Sequence, residues 1–310
     1  MTSIARIVRL FEALPGPTRG ISWMIFATFF YAGTYATVRY LSSEFDTFQI
    51  VFFRSALGVI FMLPWLIGAG ISVLRTDRIG LYAVRTGINY IGMVMLMWSL
   101  AHLELQNVTG LMFTSPLFTV LFVATILGEK VGIRRWSALL VGFLGALIII
   151  RPGIIEIGLT SMAVLTTSAL YALVNTTTKS LSTTEDSNKI VFYVFLLMML
   201  VGLGPTIYTW KPIILDHVPW IIALGIFSSL ATQGVTRALA VADASIVMPF
   251  NFLKLPFATC LGLVIFTEIP DFWTGIGAAV IFASTYYIAR REAALRAQAK
   301  QAAKLQSRTE

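Results

Sequence analysis

The chain has 310 residues, of which 57% are hydrophobic and 12% charged, whereas soluble domains carry roughly 25% charged residues. A water-soluble core of this size does not need so much apolar surface, so the composition points to a membrane protein. The net charge of +8 suits cytoplasmic loops of such a protein better than a nucleic-acid surface, since no basic face is spread over a soluble domain, and the single cysteine, Cys260, excludes an intrachain disulfide.

Residues 1–19 form a first, cytoplasmic segment. Ile4, Ile7, Phe11 and Leu14 recur there at helical spacing, with Arg6, Arg9 and Glu12 between them. That pattern suits a short helix on the membrane surface, and the interleaved charges argue against a signal peptide. A spanning helix needs ~20 apolar residues. Ten segments qualify, near 20–40, 48–68, 79–100, 106–127, 134–151, 158–178, 190–210, 219–239, 244–266 and 272–290. The fifth ends on Arg151-Pro152-Gly153 and the tenth on Arg290-Arg291. The loops are too short for an inserted soluble domain. The remainder, 291–310, is rich in Ala, Gln, Lys and Arg and reads as a cytoplasmic tail.

With the N-terminus in the cytoplasm, sixteen of the 23 Lys and Arg residues fall in cytoplasmic segments and three, Arg39, Arg151 and Lys211, fall outside. This bias places both termini inside. The other four, Arg54, Arg85, Arg237 and Lys254, lie within predicted helices.

The chain also repeats itself at an offset of about 140. FYAGTYATVRYLSS at 30–43 faces LYALVNTTTKSLST at 170–183, QIVFF at 49–53 faces KIVFY at 189–193, and ILGE at 126–129 faces IFTE at 265–268. Each glutamate precedes a tryptophan, Trp136 or Trp273, and then a Gly/Ala-rich span. The halves are 20–151 and 158–290, five helices each. Five is odd, so the second half enters the membrane inverted. The fold class is therefore all-α integral membrane, with ten transmembrane helices as two inverted five-helix repeats. Such repeats place a binding site near the midplane and rock around it. There is no GxxxxGK[ST] loop of a nucleotide-driven pump.

These features resemble the EamA-type carriers of the drug/metabolite transporter superfamily. The resemblance rests on the two halves, on LGE at 127–129 with FTE at 266–268, and on Arg54 in FQIVFFRSALG. It covers roughly 20 to 291. WSLAHLELQNVTGLMFTSPLFTVLFVATILGE and RRWSALLVGFLGALIIIRPG look most like the bacterial branch that includes S-adenosylmethionine uptake carriers, with riboflavin carriers as relatives. The resemblance implies a central cavity lined mainly by helices 1, 3, 4, 6, 8 and 9.

Lys254 lies about ten residues into the ninth segment, too deep to snorkel to water. A charge at that depth costs at least ~2.5 kcal/mol and marks a functional site by default. Pro249 and Pro256 flank it and free backbone carbonyls, while Asn251 lies one turn away. The alternative is a structural lysine bonded to those carbonyls. Arg85 and Asn89 share a face of the third helix, Arg85 pointing either to the cavity mouth or to lipid headgroups. Tyr90 and Trp98 offer rings that pack the bundle or stack on a flat substrate. The eighth helix carries a polar stripe that includes Gln233 and Arg237, either a wet wall or helix–helix glue. Tyr171 and Asn175 on the sixth helix, and Tyr31 on the first, complete the substrate-binding candidates, Tyr31 and Tyr171 being repeat partners. Arg54, Glu129 and Glu268 are read as gate or structural residues, Arg54 on a helix that the resemblance places at the cavity's periphery and the glutamates at helix ends.

No carboxylate lies deep in a helix, which argues against tight proton coupling and for exchange or uniport. The embedded cations suit a substrate with a carboxylate, a phosphate or electron-rich carbonyls. The expected function is a secondary carrier of a small organic metabolite in the bacterial inner membrane. Its partners are the substrate and the bilayer, with no nucleic acid, and no cofactor or metal is expected. HExxH and GxSxG motifs are lacking, which counts against an intramembrane enzyme.

Overall fold

The computed structural model describes residues 11–12, 14–103, 108, 111–112, 114–150 and 158–266, and within 272–287 all but 274, 278, 282 and 285. The expected surface helix up to residue 10, the 291–310 tail and Glu268 lie outside the described residues. Among the described residues there is no strand, and the helices are α1 Gly16–Leu41, α2 Thr47–Ala69, α3 Ile79–His102, α4 Thr114–Ile126, α5 Ile133–Ile150, α6 Leu159–Leu181, α7 Ser187–Tyr208, α8 Val218–Val241, α9 Ala244–Val247 and α10 Lys254–Phe266. Seven helical stretches among the described residues are long and apolar enough to cross a membrane, and α4 is a shorter apolar helix. The chain is an all-helical membrane protein.

Helix boundaries follow local chemistry. The Asp46 carboxylate accepts from Phe48 N–H at 2.9 Å to start α2, and Asp186 accepts from Asn188 N–H at 2.8 Å to start α7. A side-chain oxygen at this position satisfies one of the four unpaired N–H groups of a helix start. Gly128, at φ +69°, ends α4. Glu129 N–H then folds back to Val123 O at 3.2 Å, the carbonyl that Leu127 N–H also reaches, a return that the left-handed Gly128 before it permits. The glycine of LGE thus turns the chain so that Glu129 leaves the helix sideways.

One expected helix is not continuous. The segment predicted over 244–266 consists of α9, a 3₁₀ stretch at Met248–Leu253 and α10. Pro249 stands at the start of the 3₁₀ stretch, where its missing N–H is not required. Lys254 N–H donates to both Asn251 O and Phe252 O at the junction, a shared bond typical of helix ends.

The helices pack as α1 with α8, α2 with α7, α3 with α6, α4 with α6, and α10 with α1. Glycine permits the closest of these approaches: a Cβ on Gly234 of α8 would stand 2.8 Å from Ala27 Cβ and 3.0 Å from the Trp23 carbonyl oxygen of α1. Burial concentrates in separate apolar clusters. One includes Tyr35, Met93, Leu96, Met97, Met112 and Val194, and another includes Met24, Val120, Leu139, Met248 and Phe252. Side chains from both clusters line one cavity, so it lies where the two meet.

Candidate functional site

The cavity leaves ≈ 90 Å³ for the centres of water molecules, room for several of them. Each helix contributes a stripe set by its own period. On α3 these are Arg85, Asn89, Met93 and Leu96, and on α6 Tyr171, Val174, Asn175 and Thr178, at the three- and four-residue spacings of one α-helical face. On the broken segment they are Met248, Asn251 and Lys254. That strict spacing of three is the period of the 3₁₀ stretch, in which residues i and i+3 eclipse. The local winding therefore explains why Asn251 and Lys254 look into the same space.

Three cations reach the cavity wall from three elements. Arg54, Arg85 and Lys254 are only 3, 4 and 7% exposed. Arg85 donates from Nε and Nη2 to Thr178 Oγ1 at 3.0 and 2.9 Å. Arg54 donates from Nη2 to Thr232 Oγ1 at 3.2 Å and stacks over the Phe195 ring at 5.5 Å. Each threonine hydroxyl spends its proton on its own helix, on Val174 O at 2.7 Å and Ser228 O at 2.7 Å. Its lone pairs are left free to accept. The Nη1 atoms of both arginines are buried without a hydrogen-bond partner among the described residues. Lys254 Nζ sits 4.8 Å from the Tyr31 ring centre and 5.2 Å from that of Tyr35, an attraction between a cation and two aromatic faces. No carboxylate lines the cavity among the described residues.

Of the sequence-predicted residues, Lys254, Asn251, Arg85, Asn89, Tyr31, Tyr171 and Asn175 line this cavity. Asn175 Nδ2 donates to Thr119 Oγ1 at 3.3 Å, and Tyr171 OH points to Met93 Sδ at 3.4 Å. Asn89 Nδ2 lies 2.9 Å from Met198 Sδ. Tyr90, Trp98, Gln233 and Arg237 are not on the wall. The ring of Tyr90 covers Gly202 of α7, and the Trp98 ring lies tilted against His102 with centroids 4.8 Å apart. Gln233 Nε2 faces Met62 Sδ at 3.5 Å, and Arg237 donates to Asn188 Oδ1 at 3.0 Å with its guanidinium 4.9 Å over Trp23. Gln233 and Arg237 serve helix contacts because the polar stripe of α8 is wider than its cavity face, whereas Tyr90 and Trp98 lie on parts of α3 away from the cavity.

Arg54, expected at the periphery, lines the cavity instead. α2 packs closely between α7 and α8, with Gly58 against Phe195 and Gly225 of α8 against Leu57, and the long arginine side chain spans the remaining gap to Thr232. Glu129 stands apart from the cavity. Its carboxylate accepts from Ala244 N–H at 3.2 Å and from Ser245 N–H at 3.0 Å, and also from the Ser245 hydroxyl, thereby capping α9 from a different helix. Beside it, Lys179 Nζ donates to Leu239 O at 2.8 Å and Ala242 O at 2.6 Å, tying the end of α6 to the end of α8. Sequence reasoning missed Thr178 and Lys179. Thr178 is one of three consecutive threonines, and nothing in the run distinguishes the one that receives Arg85.

An all-helical membrane protein with one buried, cation-lined cavity between packed helices is the architecture of a small-molecule carrier. The chain belongs to the EamA-like transporter family, whose profile matches residues 18–151 and again 158–290. It is 30% identical over 282 residues to a riboflavin transporter of Vibrio cholerae, which spans 89% of this chain and 94% of that one. It is 24% identical over 277 residues to an S-adenosylmethionine uptake transporter of Rickettsia bellii, with 89% and 95% covered. A solved crystal structure shares the fold at a TM-score of 0.72 and 15% identity, over 88% of this chain and 96% of that one. The protein is a membrane transporter of this family.

Proposed function

We propose that this transporter moves a small organic metabolite across the bacterial cytoplasmic membrane by alternating access, as a secondary carrier. The substrate is S-adenosylmethionine-like: flat, and bearing a carboxylate or carbonyls. The observation that carries this reading is the convergence of Lys254, Arg85 and Arg54 with three tyrosines on one central cavity. Cations there complement carboxylate or carbonyl oxygens, and aromatic faces complement a planar ring.

Ten helices in two inverted halves, 20–151 and 158–290, supply the moving parts. The packing supports this arrangement. If helix n of the first half corresponds to helix n+5 of the second, the α1–α8 contact becomes α6–α3, α4–α6 becomes the ninth segment with α1, and α2–α7 maps onto itself. All of these contacts occur. The proline inside α2, Pro64, likewise matches Pro205 inside α7. Both termini are cytoplasmic in this reading, and Glu129 with Glu268 forms a pair of gate elements on opposite sides.

A riboflavin carrier is the second reading, favoured by the greater identity to the riboflavin transporter; an exporter of amino acids would also use this site. The test is transport of labelled S-adenosylmethionine, riboflavin and aromatic amino acids by cells expressing the protein against an empty-vector control. Flux of one of them above the control, strongly reduced by Lys254→Met, is expected. Equal flux in both strains for all three defeats the proposed substrate class. Counterflow against a preloaded substrate separates a carrier from a channel, because only the former shows trans-acceleration.

A further inference from the structure

We infer that the ligand of the central cavity carries at least two negative charges, as a phosphate ester or a pair of carboxylates. This rests on the cavity being the transport site, and among flat, oxygen-bearing metabolites it selects a doubly charged one over neutral riboflavin or S-adenosylmethionine with its single carboxylate. Three formal positive charges line the cavity wall, no acid does so among the described residues, and every hydrogen-bond acceptor they have is neutral. One nitrogen on each arginine, Nη1, has no acceptor among the described residues. Unpaired polar atoms in a buried setting are costly, and a charged donor is costlier still. A single carboxylate leaves two of the three cations uncompensated. A dianion brings the balance to within one charge and supplies oxygens for both orphaned N–H groups.

The arrangement also fixes how such a ligand is held. Each guanidinium is anchored through one edge to a threonine on another helix, leaving the rest of its donors for the ligand. Planar forks suit phosphate or carboxylate oxygens. Lys254, held between the faces of Tyr31 and Tyr35, has no carboxylate partner to displace, so an incoming anion meets it directly. Asn89, Asn175 and Asn251 on the same wall add neutral donors and acceptors for the remainder of the molecule.

The experiment uses the purified full chain in lipid nanodiscs at fixed ionic strength set by chloride. Matched probes differ only in charge: riboflavin against riboflavin 5′-phosphate, and succinamide against succinate, with inorganic phosphate as a ring-free dianion. Melting temperature and flavin fluorescence read binding. The expected result is that the dianionic member of at least one pair binds roughly tenfold tighter or more, and that the preference collapses in Lys254→Gln/Arg85→Gln/Arg54→Gln. If the triple variant does not fold, Arg85→Gln and Lys254→Met singly should each reduce the preference. Equal binding of neutral and dianionic partners overturns the inference, as does a preference that survives in the variants or the lack of any response to the dianions. Flux through proteoliposomes separates the two readings. Dianion binding without flux defeats the transport site and leaves the anion site standing, whereas flux of neutral probes without anion preference does the reverse.

Discussion

Lys254 combines three properties that a structural lysine rarely has together: burial at 7% exposure, two aromatic faces and no hydrogen-bond acceptor on its side-chain nitrogen among the described residues. Its replacement separates stability from transport. Lys254→Met keeps the length and removes the buried charge, and such swaps are commonly neutral or stabilising. Transport should fall roughly 10–100-fold, the equivalent of a charge-assisted hydrogen bond worth about 1.5–3 kcal/mol, while the melting temperature holds or rises. Uptake assays beside thermal denaturation of the same preparation measure both. A drop in both together indicates a structural lysine. Depth in an apolar run singles out Lys254, whereas for Arg85, nearer its helix end, the sequence leaves the cavity mouth and the lipid headgroups equally open. Arg54 escaped, because the resemblance places its helix at the periphery and its side chain reaches the cavity through close glycine-mediated packing. For Gln233 and Arg237 the reverse holds. A polar stripe in the sequence shows which face of α8 is polar, but not that its edge meets Met62 and Asn188 rather than the cavity.

At the scale of helices, close packing and cross-helix caps fix the positions of the cavity walls. Gly234 lets α8 lie against the backbone of α1. A leucine there must push the helices apart, since the Trp23 carbonyl cannot rotate away. Gly234→Leu should cost about 1–3 kcal/mol, seen as a lower melting temperature in detergent; an unchanged value shows that α1 and α8 can separate freely. The turn between α6 and α7 carries a second fastening. Glu185 accepts from Thr76 Oγ1 at 2.6 Å and pairs with Lys189 at 2.7 Å, while Arg78 donates to Ser180 O and Thr184 Oγ1, each at 3.0 Å. Burial pushes the Glu185 carboxyl up, but hydrogen bonds from Lys189 and Thr76 and the charges of Lys189 and Arg78 outweigh it and hold the group below the ordinary carboxylate value. A depressed folded value means that its stabilisation is complete above the unfolded value, about 4.3, and is lost as pH falls through the folded one. The melting temperature should therefore drop on acidification below about 4, and Glu185→Gln should lose up to about 1 kcal/mol at neutral pH while flattening that acid limb. A thermal-shift series across pH for both proteins checks it; superimposable acid limbs contradict it. The segments around these contacts were legible from their apolar lengths. The division of the ninth segment was not. Proline signals a break without saying that the backbone tightens to three residues per turn rather than bending.

For the whole molecule, the mismatch between a symmetric packing scheme and an asymmetric charge matters most. Contacts exchange between the halves, yet the lysine position in the ninth segment faces Ser115 and Pro116 in the fourth, which bring no charge. On the proposed alternating-access cycle, an empty carrier would reorient with three unneutralised cations inside it, at a cost of several kcal/mol per buried ion, and one loaded with a dianion with a single one. Exchange against internal substrate should therefore outpace net uptake by roughly tenfold or more. Proteoliposomes loaded with or without substrate measure the ratio, and equal rates would remove this coupling. The repeat was legible in the sequence because matching motifs survive at one offset. The cavity's closure was not, since it depends on contacts such as Glu129 to Ala244 and Lys179 to Leu239, between residues more than fifty positions apart. The 3₁₀ stretch has one more consequence, for motion. Six residues wound at three per turn with a 2.0 Å rise are about 3 Å longer than the same six in an α-helix, and differ from it by about 120° of accumulated rotation. Rewinding Met248–Leu253 would thus act as a screw, drawing Lys254 along the axis and swinging it from one side of the helix to another without breaking a single covalent constraint.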